Sequence, residues 1–235
     1  MRESSKSNQY RSPQFFADYL SGAVLDIGCG NDPVVPNARP FDRIHGNAEK
    51  ILDHFAPASF DTVYSSHCLE HMSNVPGILA DWWTLVKPGG HLIVVVPHED
   101  LYEQGFWPSQ FNNDHKATFR LDAPTSWSPV SYDVRQLVSA LPGSEIAELA
   151  IQDQGFNYRW LPAKITRPRS LGGFGRFVSR FRHSLIKRIG KNDGTAKEKF
   201  ADRLNVLLAG WGIPTDQTHF GALAQIQCVV RKRAA

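Results

Sequence analysis

The stretch Val24-Leu25-Asp26-Ile27-Gly28-Cys29-Gly30 constrains the fold of this chain more than any other. A short apolar run bounded by turn residues reads as a buried strand. Two glycines one residue apart, directly after it, read as a tight turn. Glycine adopts positive φ without steric cost and lets backbone approach a ligand closely. A dinucleotide-binding turn would continue as G-x-G-x-x-G. Here Gly30 is followed by Asn31-Asp32-Pro33, so the third glycine is missing and proline spoils the start of a phosphate-binding helix. A nucleoside cofactor without phosphates fits this turn better. Asp26, at the strand end, offers a carboxylate to a cationic or hydroxyl-rich group.

Further elements alternate along the chain. Ser12-Pro13 starts a helix, with serine as N-cap and proline at the first helical position. Phe60 to Ser65 reads as a second buried strand. Asn74-Val75-Pro76 starts a helix with Leu79, Trp82 or Trp83, and Val86 on its apolar face. It stops at Lys87-Pro88-Gly89-Gly90. His91 to Val96 is apolar on both faces, as a central parallel strand requires. Ser131 is expected to cap a further helix, Glu145 to Ile151 to form a fourth strand, and Ala222 to Arg231 a last one. Residues 1–11 read as a loose polar tail, and Pro97 to Ser128 as a long functional loop. Strands alternating with helices predict an α/β fold around a mostly parallel sheet. Ligands bind such sheets at the carboxyl ends of the strands, where Gly28–Gly30, His67–His71 and Pro97–Asp100 would converge.

Composition excludes several classes. With 235 residues, 42% of them hydrophobic and 21% charged, the chain can bury one sizeable core and is not disordered throughout. No run of 18 apolar residues exists, so no spanning helix is expected. Met1 to Gln9 lacks the apolar region of a secretory signal. Cys29, Cys68 and Cys228 are odd in number and widely spaced, which predicts reduced thiols in a cytoplasmic protein. Charge is uneven. Between Gln154 and Asn192 there is no Asp or Glu but ten Lys or Arg, in a chain of net charge +3. An acidic body therefore carries a basic insert, which suggests an anionic partner. A single domain over 1–235 is expected, with its core in 12–153 and 215–233 and the basic helical insert in 158–212.

Four motifs in order carry a family resemblance. They are Val24–Gly30, Ser59-Phe60-Asp61-Thr62-Val63-Tyr64, Cys68-Leu69-Glu70-His71, and Leu85-Val86-Lys87-Pro88-Gly89-Gly90-His91-Leu92. From Ala23 to Pro97 the chain resembles the class I S-adenosylmethionine-dependent methyltransferases, in particular the type 11 group. The resemblance implies a Rossmann-like sheet of seven strands, the last antiparallel, with S-adenosylmethionine as cofactor. Gly28 and Gly30 would line its methionine part, and Asp26 would contact its amino group directly or through water. Asp42 would bind the ribose and Gly46-Asn47-Ala48 the adenine, with Asn47 replacing the family's acid. Ser66 and His67, after the next strand, complete the cofactor set. Only about a dozen residues separate Gly30 from Asp42, so the first crossovers must be shortened.

The methyl acceptor is expected to be an oxygen. His67, His98, Asp114 and His115 fall near the edge where the methyl group would lie. His115 or His67, with Asp114 nearby, is a candidate general base for a hydroxyl. His71 reads as structural. Ser65-Ser66-His67-Cys68 lacks the motif of amine-methylating enzymes of nucleic-acid bases, and Cys68 lacks the preceding proline of pyrimidine C5 enzymes. His98, Glu99, Asp100, Asp114 and His115 show no metal-ligand spacing, so no metal is expected. The loop from Asp100 to Ser109 mixes aromatic and hydrogen-bonding groups, as a sugar ring requires. His67–Met72, Glu99–Gly105 and Asp114–Lys116 together resemble, more loosely, enzymes of bacterial surface-polysaccharide and lipopolysaccharide synthesis. The expected substrate is a sugar or glycolipid hydroxyl. The alternatives are RNA, held by the basic insert, and a non-catalytic cofactor-binding partner protein. In 173–191, Phe174, Phe177, Val178, Phe181, Leu185 and Ile189 form one apolar stripe at helical spacing, with basic residues beside it. That is the pattern of a helix lying on an anionic membrane surface, at the inner face of the membrane.

Overall fold

Eight strands are present in the computed structural model, which describes residues 3–163, 167–170, 172–173, 178 and 195–234. They are β1 (Val24–Ile27), β2 (Arg39–Phe41), β3 (Phe60–Ser66), β4 (Val86–Pro97), β5 (Thr118–Arg120), β6 (Ser131–Asp133), β7 (Ser144–Gln152) and β8 (Gln225–Lys232). One sheet runs β2-β1-β3-β4-β8-β7, and β5 and β6 form a separate parallel pair. β1 is parallel to β2 and β3, and β3 to β4. β8 is antiparallel to both of its neighbours. This is the Rossmann-like α/β architecture predicted, with the last strand reversed.

The sheet has six strands among the described residues, where the resemblance implies seven. Residues 42–59 join β2 to β3 and hold only a 3-10 turn, Ala48–Asp53, broken at Lys50. That link is too short for a further parallel strand with a crossover of about 10–12 residues on each side of it. Between β1 and β2, Pro33 and Pro36 deny the chain a helix. The first crossovers are shortened as expected, which leaves the carboxyl end of β1 open.

Helices cover both faces. They are α1 (Glu3–Asn8), α2 (Pro13–Tyr19), α3 (Val75–Thr84), α4 (Val134–Ser139) and α5 (Thr195–Gly210). Ser12 caps α2, its side chain accepting from the Phe15 N–H. Asn74 caps α3 in the same way through Gly77. β4 divides its side chains between two cores. Leu92, Val94 and Val96 face Trp82, Leu79 and Val138 on one side, while Ile93 and Val95 face Phe15, Leu20 and Tyr64 on the other. Burial of this kind yields about 1.5–3 kcal/mol per large apolar side chain. Trp82 is wholly buried and satisfies its indole N–H on the Ala48 carbonyl at 3.1 Å.

Several local expectations need correction. Residues 1–11 are not a loose tail: Glu3–Asn8 are helical, with Ser4 and Ser7 buried. Asn8 donates to the Val34 carbonyl at 2.9 Å, and Gln225 donates to Ser7 Oγ at 2.8 Å. Polar composition hid this docking, because it rests on hydrogen bonds rather than on an apolar stripe. Ser131 begins β6, and it is Asp133 that caps α4. Lys87-Pro88-Gly89-Gly90 lies within β4 rather than beyond a helix that reaches it. The basic helix expected over 173–191 lies outside the described residues, apart from Gly173 and Val178. Of the insert, α5 docks through Asp202, which accepts from Asn157 and from the Trp160 indole. Among the described residues no helix is long and apolar enough to cross a membrane.

Candidate active site

At the carboxyl edge, β1 ends in Gly28 with φ +79° and Gly30 with φ +54°. The Gly28 N–H donates to the Phe41 carbonyl at 2.8 Å, which ties the turn to β2. A Cβ on Gly28 would stand 2.6 Å from the Cys68 Cβ, whereas one on Gly30 would meet nothing within 4 Å. The second glycine therefore borders open space. The Gly30 N–H donates to Asp42 Oδ2 at 2.7 Å, so the residue after β2 is held directly across the turn.

Asp26 is buried under this turn. Its Oδ2 accepts from the Val34 N–H at 2.6 Å, and its Oδ1 has no hydrogen-bond partner among the described residues. Burial, above all, pushes its carboxyl up to about 7, against the Val34 hydrogen bond. A buried carboxylate oxygen left unpaired is costly, and a cationic amino group would satisfy it.

Two adjoining cavities open at the turn. The larger, about 670 Å³, is bordered by Gly28, Asp42, Gly46, Asn47, Ala48 and Cys68, and reaches Asp114. The smaller, about 210 Å³, is bordered by Gly28, Gly30, Ser66, Glu70, Tyr102 and His115, with Glu3 and Ser4 of α1 closing it. Gly28, His67 and His71 border both. Asp42, Asn47 and Ala48 thus meet in the cavity expected for the nucleoside. Gly30, Ser66 and His67 meet in the one expected for its reactive end. The Asn47 side-chain oxygen caps the Ala48–Asp53 turn through the Glu49 N–H, leaving one lone pair for a ligand. Burial pushes the Cys68 thiol up to about 12, so it is no nucleophile.

The structure separates the three catalytic candidates. His67 leaves β3 with φ +52°, and its Nε2 lies 2.9 Å from Gln225 Oε1. Burial alone would lower its pKa, but Glu70 at 3.5 Å and Glu3 at 3.9 Å raise it to about 9. At neutral pH His67 is an imidazolium, a donor rather than a base. Asp114 is exposed, pairs with Arg43 at 3.0 Å and borders the larger cavity, whereas His115 borders the smaller. His115 is buried. Its Nδ1 lies 2.6 Å from Glu103 Oε1, and its ring stacks on Tyr102 at 5.4 Å. Glu103 comes from a single π-helical turn, Glu99–Glu103, in the segment expected to be loop.

Glu70, Glu103 and His71 are the residues that sequence reasoning missed. Glu70 is wholly buried, and neither carboxylate oxygen has a hydrogen-bond partner among the described residues. His71 borders both cavities. The signal was the spacing His67-x-x-Glu70-His71 straight after a strand, which places all three at the sheet edge. The other candidate metal group disperses. His98 caps the π-helical turn, Glu99 accepts from Thr118, Ser126 and Ser131, and Asp100 accepts from Trp127. Of the aromatic residues between Asp100 and Ser109, Tyr102 borders the smaller cavity while Phe106 is in the interior.

Comparison with known proteins fixes the family. Residues 9–159 match the family model described as methyltransferase domain, an interval that holds the glycine turn, Asp42, Glu70 and His115. The chain belongs to the methyltransferase domain family. The juvenile hormone acid O-methyltransferase of Drosophila melanogaster is 30% identical over 135 residues, covering 57% of this chain and 36% of that protein. The chain therefore spans about a third of the length of that relative. A SAM-dependent methyltransferase from Archaeoglobus fulgidus has a similar fold, with TM-score 0.51 and 13% identity over 99% of this chain and 95% of that one. A putative methyltransferase from Bacillus halodurans gives 0.52 and 14%, over 98% and 100%.

Proposed function

We propose that this methyltransferase acts on a sugar hydroxyl of a bacterial surface glycan or its lipid-linked precursor. The cofactor supplies an electrophilic methyl group on a sulfonium. Gly28 and Gly30 would pass under its methionine part, Asp26 would take its amino group, Asp42 its ribose, and Asn47 with Ala48 its adenine. Ser66 and His67 would flank the sulfur end. The unpaired Asp26 Oδ1 and the open face of Gly30 fit such a ligand.

The Glu103–His115 pair carries the choice of oxygen as acceptor. A carboxylate only accepts, so Nδ1 of His115 bears the proton, and in the neutral ring Nε2, 3.9 Å from Glu70 Oε1 at the border of the smaller cavity, is left with a lone pair. Alcohols are too weakly acidic to ionise unaided, and an oriented imidazole lone pair is the group that activates them. The same cavity carries Ser4, Ser66, Asn112 and Thr218 around Tyr102. Hydroxyls and an amide beside one aromatic face suit a polyol ring.

The test uses methyl-labelled S-adenosylmethionine with glycolipid, free sugars and total RNA as acceptors. Label is expected in the carbohydrate fraction as an alkali-stable ether. Label in RNA, or an alkali-labile ester, contradicts the reading. The basic segment 173–191 would hold the enzyme at the inner face of an anionic membrane, each Lys or Arg contributing about 1 kcal/mol. Cosedimentation with anionic vesicles at low salt is expected, and lost when 173–191 is deleted. Equal sedimentation of the deletion contradicts it.

A further inference from the structure

Three imidazoles surround Glu70, a carboxylate with no hydrogen bond among the described residues. His67 Nδ1 lies 3.5 Å from Glu70 Oε1, His71 Nε2 4.0 Å and His115 Nε2 3.9 Å, while both Glu70 oxygens remain without a hydrogen bond. The outer nitrogens of His71 and His115 explain why. His71 Nδ1 lies 3.1 Å from the Asp114 backbone carbonyl, and His115 Nδ1 lies 2.6 Å from the Glu103 carboxylate. Both partners can only accept, so both Nδ1 atoms carry the protons. In the neutral rings each Nε2 is then a lone pair, and the two lone pairs face an acceptor-only carboxylate. The His67 ring already faces Glu70 from one side, and a cation set between the two lone pairs and Oε1 would satisfy the atoms on the other.

We propose that Glu70, His71 and His115 form a site for one divalent first-row transition-metal ion, of the class of Zn²⁺, Mn²⁺, Fe²⁺ or Co²⁺. Their ligand atoms lie within 4.8 Å of one another. The two Nε2 atoms stand 3.9 and 4.0 Å from Oε1. Tetrahedral ligands with bonds of about 2.1 Å are about 3.4 Å apart, so the three atoms come to share one ion by each moving inward about half an ångström. Two imidazoles and one carboxylate suit a borderline metal, whereas Ca²⁺ and Mg²⁺ prefer oxygen cages. The outer contacts follow the carboxylate–histidine–metal and carbonyl–histidine–metal pattern that fixes ring orientation in metal centres. His67 pairs electrostatically with Glu70 from the side of Gln225 and is not needed as a ligand.

Three protein ligands leave positions open, and all three residues border the smaller cavity. A substrate hydroxyl seated on the ion would be acidified, as metal-bound oxygens are. This rests on the reading that methyl transfer occurs in that cavity, and it specifies how His115 acts there: its lone pair holds the ion, and activation goes through the ion.

The test is metal binding by the untagged full-length chain, read without any acceptor. The protein is stripped with chelator and dialysed against Co²⁺, Zn²⁺ or Mg²⁺, and its metal content and cobalt absorption are measured. About one Co²⁺ or Zn²⁺ per chain is expected, with a cobalt spectrum free of thiolate charge-transfer bands. Glu70→Gln and His115→Ala should each weaken binding at least tenfold. Glu103→Gln, which leaves the ligands in place, should weaken it about 10- to 100-fold. Retention of no metal, preference for Mg²⁺, a thiolate spectrum implicating Cys68, or unchanged affinity in the variants would each overturn the site. Should a ligand variant not fold, wild-type stoichiometry and the Glu103→Gln affinity decide alone. Calorimetry with S-adenosylmethionine on the stripped protein separates the two readings. Loss of cofactor binding would sink the functional reading while metal content still judges the site.

Discussion

Replacing His115 with alanine is expected to lower turnover about 10²–10⁴-fold while leaving affinity for S-adenosylmethionine unchanged. The ring borders the smaller cavity and not the larger one, so its removal leaves the nucleoside side intact. It also leaves the Glu103 carboxylate buried without its partner, since Oε2 of that residue already has none. Some loss of stability will accompany the loss of rate, and the midpoint of thermal unfolding must be measured beside it. Near-full turnover in a folded His115→Ala enzyme would show that positioning alone drives the reaction. Single-turnover transfer of labelled methyl, with calorimetry on the same preparation, separates rate from binding.

Asp26→Asn should move cofactor affinity and stability in opposite directions. The folded protein holds the Asp26 carboxyl near 7, far above its unfolded value of 3.8. Between those two values the folded state binds the extra proton, so this residue's contribution to stability falls as pH rises through the window and is least favourable above 7. Asparagine removes that cost and retains an acceptor for the Val34 N–H. The variant should therefore unfold at a higher temperature than the parent above pH 7, with the difference vanishing toward pH 4. Cofactor binding runs the other way, because an ammonium group needs the carboxylate. Wild-type affinity should rise as pH climbs through 7, and Asp26→Asn should lose about tenfold or more with a flat pH profile. A variant that binds the cofactor as well as the parent at pH 8 would remove Asp26 from the cofactor site.

Much of this arrangement was legible from residue order, and what was not has physical reasons. The glycine turn, the apolar runs of β3 and β4, and the proline-broken link from β1 to β2 are local signals with short-range causes. They place Gly28, Gly30, Asp42 and Asn47 without reference to the rest of the chain. The Glu70–His71–His115 cluster is different. His115 arrives from a distant segment, and its partner Glu103 sits on a π-helical turn that no periodicity announces. The docking of α1 was hidden for a related reason. Ser7 accepts from Gln225 of β8, and the Ser5 N–H and the Asn8 amide donate to Asp32 and Val34 in the segment after β1, and a polar hexamer gives no sign of such partners. Residue roles that depend on which nitrogen carries a proton, as in His71 and His115, emerge only when the outer partners are in place.

Calorimetric titration of Gly30→Asn with S-adenosylmethionine tests the central claim, that the cofactor lies over the turn between the two cavities. Gly30 has φ +54°, a conformation that asparagine tolerates better than other side chains, and a Cβ there meets no protein atom within 4 Å. The variant should therefore fold, with a melting temperature close to the parent's, while its side chain stands in the space the cofactor would fill. The wild-type chain is expected to bind one equivalent, and Gly30→Asn to bind at least tenfold more weakly. A folded Gly30→Asn protein that binds the cofactor as tightly as the parent would contradict the account.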